Sequence, residues 1–361
     1  MSAVRDMFTK NLRQSGILIA FVAITLLFTI LTQGKLLGPQ NVTNIVLQYS
    51  YILILAIGML FVIVIGHIDL SVGSVMALVG AVAATMVVKN AMPWWLAVIA
   101  GIAVGLLIGA WQGFWVAYVG IPGFIVTLSG MLLFRGMTFL VLNSVSLSPM
   151  SAEYQMIASG FINGLLGGAG FDVFTLVVAA IAVAGYAYSQ FRTRQARIRY
   201  EQQVESMGLF IFKLVAIAAV VGFFAWKLAT SRGFPIVLFI LAALILIYGF
   251  VSKNTIYGRH VFAIGGNLNA AMLSGVKVKR TLFYAYVNMG LLAGIAGIVY
   301  SSRSNGAQPA AGNGIELDAI AACFIGGAAV TGGVGTVGGA MVGGLVMAVM
   351  TNGMQLMGVP T

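Results

Sequence analysis

Hydrophobic residues in this chain gather in long continuous runs separated by short polar or glycine-rich connectors. The runs fall at about 16–33, 45–66, 70–88, 94–119, 123–142, 171–190, 208–227, 234–251, 282–300, 315–330 and 335–357. Most are close to the ~20 residues an α-helix needs to cross a hydrocarbon core. They are continuous, not alternating, so they read as helices and not as strands of a membrane barrel. The pattern predicts an all-α fold, a polytopic transmembrane helical bundle of about eleven segments forming one domain over residues 1–361. Glycine or proline near several segment ends predicts that some are broken or re-entrant. Eleven crossings put the two chain ends on opposite sides, and a further inward helix after Thr361 is the expectation from that odd count.

Composition removes the soluble alternative. Hydrophobic residues make up 60% of the chain and charged residues 7%, against roughly 25% charged in a soluble domain. With a mean hydropathy of +1.04, there is too little polar surface to cover a globule in water. The net charge of +11 would suit nucleic acid, but its placement argues against that partner, because the basic residues lie in short connectors where topology is set. With the N-terminus inside, the segments 1–15, 191–207 and 252–281 carry twelve of them: Arg5, Lys10, Arg13, Arg192, Arg194, Arg197, Arg199, Lys253, Arg259, Lys277, Lys279 and Arg280. The outer connectors hold five, namely Lys35, Lys89, Lys227, Arg232 and Arg303. That asymmetry predicts a cytoplasmic N-terminus. Residues 1–15 read as a retained tail, since no cleavage site follows them.

Several chemistries lack their residues. Cys323 is the only cysteine, and His67 and His260 are far apart, so neither a disulfide nor a metal site is expected. The string Gly333-Val-Gly335-Thr-Val-Gly338 matches a dinucleotide fingerprint in form only, without the strand before it or the acidic residue after it. No Gly-rich phosphate loop ending in Lys-Ser or Lys-Thr occurs, so the chain is not expected to hydrolyse ATP itself. A membrane enzyme would need a clustered acid, base or nucleophile, and eight acidic residues and two histidines are too scattered for one.

The eight acidic residues are few enough to weigh singly. Asp69, in His67-Ile-Asp69-Leu-Ser71-Val-Gly73-Ser74, lies between two apolar runs, where an ionisable group costs several kcal/mol, ~3 on insertion scales. It either caps the next helix through N–H groups of Leu70, Ser71 or Val72, or lines a polar path with Ser71. Arg135 is the other charge inside an apolar run; it snorkels, pairs with Asp69 or Glu153, or faces water. Trp111, Trp115 and Tyr118 read as interfacial anchors, with sugar stacking by these rings as the functional alternative. Glu316 and Asp318 suit a helix N-terminus. Gly101, Gly105, Gly109 and Gly113, and again Gly335, Gly339 and Gly343, are faces of small residues that let helix backbones approach closely.

The segment 253–281 is the most informative polar stretch. Asn267 is an N-cap candidate, 268–274 a short helix and Gly275 its stop. Such a helix is either an ordinary connector or a docking element. Here the residues acquire a family likeness. Gly258-Arg259-His260-Val-Phe-Ala263-Ile264-Gly265-Gly266-Asn267, followed by Ala270-Ala271 and Ser274-Gly275, resembles the cytoplasmic coupling segment of sugar permeases of the ABC type. Ile68-Asp69-Leu70-Ser71-Val72-Gly73-Ser74, Pro122-Gly-Phe124-Ile-Val-Thr127-Leu, Arg135-Gly136, Glu316-Leu-Asp318-Ala-Ile-Ala-Ala and the glycines from Gly326 to Gly335 are similar to it, in the family's order. The paired helices around 191–207 and the ending from Asn352 are most similar to the xylose and multiple-monosaccharide branch. His67 stands where that pattern leads one to expect an acidic residue.

The resemblance implies a non-enzymatic permease of a bacterial inner membrane, working as a pair of permease chains. A cytoplasmic ATPase subunit, which alone would hold ATP and magnesium, would dock on Gly258, Arg259, Gly265, Gly266, Asn267, Ala271, Ser274 and Gly275. A periplasmic sugar-binding protein would deliver the monosaccharide, and Asp69, Ser71, Arg135 and Trp111 would line its path. The alternative from a different class is a stand-alone secondary transporter or channel, which would usually carry more membrane carboxylates or inverted repeats.

Overall fold

A computed structural model describes residues 12–202 and 204–359. Arg5, Lys10, Pro360 and Thr361 lie outside the described residues. The chain forms α1 (Leu12–Leu31), α2 (Pro39–Val64), α3 (Val72–Ala84), α4 (Trp94–Phe114), α5 (Gly123–Leu142), α6 (Ala152–Ser159) and α7 (Val173–Arg199). Then follow α8 (Met207–Ala229), α9 (Ile236–Asn254), α10 (Ile256–Gly266), α11 (Leu268–Leu273), α12 (Val278–Arg303), α13 (Ile315–Ile325) and α14 (Val337–Leu356). Single π-helical stretches prolong α3 over Thr85–Lys89 and α4 over Trp115–Val119. Every apolar run contains a helix, and among the described residues nine helices are long and apolar enough to cross a membrane. The chain is a polytopic helical membrane protein.

Three segments differ from the sequence expectation. The run 315–330 is helical only over Ile315–Ile325, about 16 Å or half a membrane, because Gly326, Gly327, Gly332 and Gly333 open the backbone beyond it. The basic segment 191–207 is mostly not a loop. α7 continues to Arg199, because arginine, glutamine and alanine are good helix formers and positive charge is favourable at a helix C-terminus. In 253–281 a second helix, α10, precedes the expected short one, started by Thr255, whose Oγ1 accepts from the Gly258 N–H at 3.1 Å.

α2 is the axis of the bundle. It is apolar all round, and its side chains from Ile52 to Val64 are all buried, as expected for a helix enclosed on every side. Around it pack α12, α13, α14, α9 and α8. α4 meets α12 through glycine: an added Cβ at Gly105 would lie 2.9 Å from the Gly294 Cα and closer still to the Gly290 carbonyl. Gly101 faces Val79 and Ile298, Gly109 faces Tyr286 and Gly290, and Gly113 faces Phe283. On α14 and the turn before it, Gly335 faces Leu60 and Val64, Gly339 faces Gly326, and Gly343 faces Ala322 and Gly326. With no hydrophobic drive between helices in lipid, such close contact supplies much of the packing energy. Replacing Gly105 with leucine is expected to cost at least ~3 kcal/mol by overpacking, seen as loss of the monodisperse peak in detergent chromatography.

α7 and α8 form a peripheral hairpin whose faces are largely exposed. Its start is pinned at the end of the molecule away from α10 and α11. There Phe161 and Ile162 pair antiparallel with Pro235 and Phe234, and the Asp172 N–H donates to the Ala229 carbonyl at 3.0 Å. Asp172 caps α7 by accepting from the Thr175 N–H at 2.9 Å, and its other carboxylate oxygen accepts from the Gly164 N–H of the preceding loop at 3.0 Å. Burial pushes its carboxyl up, but these bonds and that of the Thr175 hydroxyl outweigh it and hold the group below the usual carboxylate range.

Candidate functional site

Two interruptions in the bundle meet inside it. The first is the stretch 65–71 between α2 and α3, which leaves the α10 end of the molecule and runs back into the bundle as irregular backbone. Asp69, 2% exposed, accepts on Oδ1 from the Ser71 N–H at 2.8 Å and the Ser71 hydroxyl at 2.7 Å. Ser71 Oγ in turn accepts from Gln112 Nε2 of α4 at 2.7 Å. Thr127 of α5 donates to the Ile68 carbonyl at 3.3 Å. His67 Nδ1 lies 3.2 Å from the Tyr286 hydroxyl of α12. Gln112 is seven residues before the end of Trp94–Val119, and Thr127 four after the start of α5. The cluster is therefore about 6–10 Å inside that end of the bundle. Irregular backbone at such depth occurs where protein or a water-filled cavity satisfies it.

The second interruption is the loop 304–314 between α12 and α13, which dips into the bundle from the opposite end. The two meet at glycine. An added Cβ at Gly73 would press on the Gly312 carbonyl and come within 2.5 Å of Glu316 Oε2, and one at Gly312 would press on the Gly73 carbonyl. The N-termini of two helices, α3 and α13, thus face each other deep in the protein, with their partially positive ends together. Ser74 Oγ and Glu316 Oε2 are buried there with no hydrogen-bond partner among the described residues. Arg135, about 18 Å along α5, donates from Nη1 to the Ala311 carbonyl and so holds the loop at this depth. Among the described residues the one ion pair is Lys213–Glu205. Arg135 therefore forms neither of the pairings considered for it, with Asp69 or with Glu153.

Trp111 stands apart from this cluster. It is 41% exposed and makes edge contacts with Trp115 and Phe134, at 6.4 and 5.9 Å between ring centroids, on the outer face of α4. Ser71 is joined instead to Gln112, one position along, which sequence reasoning missed. A lone glutamine in a glycine-rich apolar helix carries no local signal beyond its polarity. Replacing Ser71 with alanine breaks the link from Asp69 to Gln112. Leaving the amide unpaired is expected to cost about 1–3 kcal/mol, read as a lower melting temperature in detergent.

At the near end, α10 and α11 divide the residues of the 253–281 segment into two faces. Gly258 and Ala271 are buried, while Arg259, Gly266, Asn267, Ser274 and Gly275 are exposed. Asn267 Oδ1 accepts from the Ala270 N–H at 2.9 Å and starts α11, and Gly275 ends it at φ +81°. Gly265 turns inward: an added Cβ would meet the Val64 carbonyl and lie 2.5 Å from the Gly333 N. The Gly333 N–H itself donates to the Val64 carbonyl at 2.8 Å. One backbone junction therefore joins α10, the end of α2 at the first interruption, and the glycine turn that follows α13. Leu268, Met272 and Leu273 project from α11 into solvent, Leu273 being 91% exposed. Sequence reasoning missed these as well, because their exposure follows from how α11 packs and not from the local sequence.

Residues 41–361 match the family described as the permease component of the branched-chain amino acid transport system. The chain is 40% identical to the xylose transport system permease protein of Haemophilus influenzae over 97% of its own length and 92% of that protein's. It is 41% identical to the protein of that name in Escherichia coli K12, over 97% and 87% of the two chains. Against the ribose import permease protein of E. coli K12 the identity is 33% over 98% and 90%. No solved structure matches the chain.

Proposed function

This chain belongs to the branched-chain transport permease family, and on that premise we propose that it is the membrane-spanning subunit of an ATP-driven importer carrying a monosaccharide, xylose first, across the bacterial inner membrane. The names of the two relatives at 40% and 41% identity favour xylose. The basic residues of 252–281 and of the α7 C-terminus support a cytoplasmic α10–α11 end and a cytoplasmic N-terminus. The chain acts as a transport subunit, without a phosphate loop of its own. It would take an ATPase at α11, a second permease chain beside it, and a periplasmic binding protein at the far end.

The junction of Gly265 with Val64 and Gly333 carries the mechanism. A docked ATPase presses on the leucines of α11, and α10 passes that displacement on as a rigid body, because Gly265 leaves no slack against the α2 carbonyl. Movement of 64–66 shifts the stretch bearing Asp69 and Ser71 relative to Gln112, and movement of 332–333 shifts the α13 side of the Gly73–Gly312 contact. The two sides part where Ser74 and Glu316 already hold unused hydrogen-bonding capacity. Asp69, Ser71, Gln112 and Glu316 then offer acceptors and donors to the hydroxyls of a neutral sugar. Arg135 holds the loop 304–314 that forms one wall. Two discrete states of one packed element, biased from a distant site, are what coupling requires.

Co-expression with the importer's ATPase tests the reading. Leu273→Arg is expected to lose the ATPase on affinity purification, by at least tenfold, while the permease inserts and elutes normally, since removing an exposed docking anchor costs ~2 kcal/mol or more. Undiminished ATPase retention by that variant contradicts docking on α11.

A further inference from the structure

The α7–α8 hairpin carries a cleft that transport as described does not use. α7 has 27 residues, about 40 Å of helix against ~30 Å of hydrocarbon. Arg192 lies nineteen residues along it, about 28 Å from its start, so Arg192, Arg194, Arg197 and Arg199 emerge at the headgroup layer. Across from them α8 begins, its Ser206 hydroxyl accepting from the Leu209 N–H at 3.4 Å, and it contributes Lys213. Between the two helices lies a cleft of about 200 Å³ lined by Gln190, Thr193, Arg194, Arg197, Glu205 and Lys213 among others. Arg194 donates to the Glu205 carbonyl at 2.7 Å and lies 5.1 Å from the centre of the Phe210 ring. Lys213 pairs with Glu205 at 2.5 Å while remaining 40% exposed. The cleft lining carries Arg194, Arg197 and Lys213 against Glu205, and the hairpin tip as a whole has five basic residues to the two acidic ones, Glu201 and Glu205, so it keeps a net positive charge. Tyr186, Phe210 and Leu214 add apolar surface to the lining of the cleft, and the outer faces of both helices expose further apolar residues, Ile181 and Tyr188 on α7 and Phe212 and Val215 on α8.

We propose that this cleft binds the headgroup phosphate of an anionic phospholipid of the cytoplasmic leaflet. The leaflet rests on the orientation given above. The cationic side chains select a negative head, and the apolar lining of Tyr186, Phe210 and Leu214, on two helices of membrane-spanning length, selects a ligand with acyl chains, which a free phosphate or nucleotide lacks. Arginine suits such a head because its planar fork meets phosphate oxygens bidentately, and basic pockets between membrane helices hold anionic lipids by this chemistry. Binding there would clip the two helices together at the end where the hairpin has no strand pairing.

Native mass spectrometry of the full-length permease in detergent tests this, with dioleoyl phosphatidylglycerol or dioleoyl phosphatidylcholine added at equal concentration. The wild type is expected to retain phosphatidylglycerol roughly tenfold more than phosphatidylcholine. Replacing Arg194, Arg197 and Lys213 by alanine together should bring the two lipids level. Arg194→Lys with Arg197→Lys keeps the charge but not the bidentate fork and should keep a reduced preference for phosphatidylglycerol, which separates loss of a site from loss of the fold. Glu205→Gln frees Lys213 from its pair and should raise phosphatidylglycerol retention, an outcome that damage to the hairpin would not give. Equal retention of both lipids by the wild type, or an unchanged preference in the triple variant, overturns the proposal. So does complete displacement by millimolar inorganic phosphate, which would mark a simple anion site. The assay involves neither ATPase nor sugar, so it fails or succeeds independently of the transport reading.

Discussion

Gly73→Ala is expected to lower sugar uptake roughly ten- to hundredfold while the permease still inserts and folds. The methyl group would be pressed into the Gly312 carbonyl and placed 2.5 Å from Glu316 Oε2. One wall of that contact is the fixed backbone of a re-entrant loop, held by Arg135 on the Ala311 carbonyl, so it gives little. Overpacking of this kind costs about 1–3 kcal/mol, and each 1.4 kcal/mol removed from the competent state is a factor of about ten in rate. The rest of α3 is packed elsewhere, against α12 at Met76 and Val79, so the loss falls on the contact that the proposed mechanism opens and closes. Gly136→Ala is the matched control. That glycine sits in α5 next to Arg135, and nothing lies within 4 Å of an added Cβ, so uptake should be unchanged. Proteoliposome uptake with matched protein loading reads both.

The second large effect is at the junction of Gly265 with Val64 and Gly333. Gly265→Ala is expected to abolish ATP-dependent uptake within the limits of the assay, whereas the neighbouring Gly266→Ala should leave it near wild type. An added Cβ at Gly265 would run into the Val64 carbonyl, with the Gly333 N 2.5 Å away. Both are partners in a hydrogen bond that ends α2, so accommodation either breaks that bond or tilts α10 outward. A Cβ at Gly266 meets nothing within 4 Å. The informative readout is basal ATP hydrolysis in the reconstituted complex. If α10 is the rigid link, Gly265→Ala retains the ATPase through the intact leucines of α11, and the enzyme hydrolyses ATP without moving sugar. Retained uptake in that variant would mean that the displacement enters the bundle elsewhere.

Much of this architecture is legible in the chain because membrane helices obey few rules. Continuous apolar runs of spanning length give the helices, and Asn267 and Gly275 bound α11 through local capping chemistry. The glycines of α4 and α14 give their packing faces through a four-residue period. What is not legible is where separate runs touch. Nothing near Gly73 in sequence announces Gly312, and nothing near Val64 announces Gly265 or Gly333, because those contacts close over some two hundred residues. Gln112 and Thr127 join Asp69 and Ser71 only once α4 and α5 have packed on α3. The extended α7 shows the opposite limit: its arginines are read correctly as basic and misread as a loop, because charge marks the membrane boundary more strongly than it marks the end of a helix.

The central claim is that ATP hydrolysed on a partner drives sugar through this chain. The most direct measurement is uptake of radiolabelled xylose into proteoliposomes holding the permease and its ATPase, with the binding protein outside and ATP sealed inside. The account predicts accumulation above the external concentration that stops when ATP, the ATPase or the binding protein is left out, and that a proton or sodium ionophore does not affect. Accumulation by the permease alone, driven by an ion gradient and abolished by the ionophore, would contradict it.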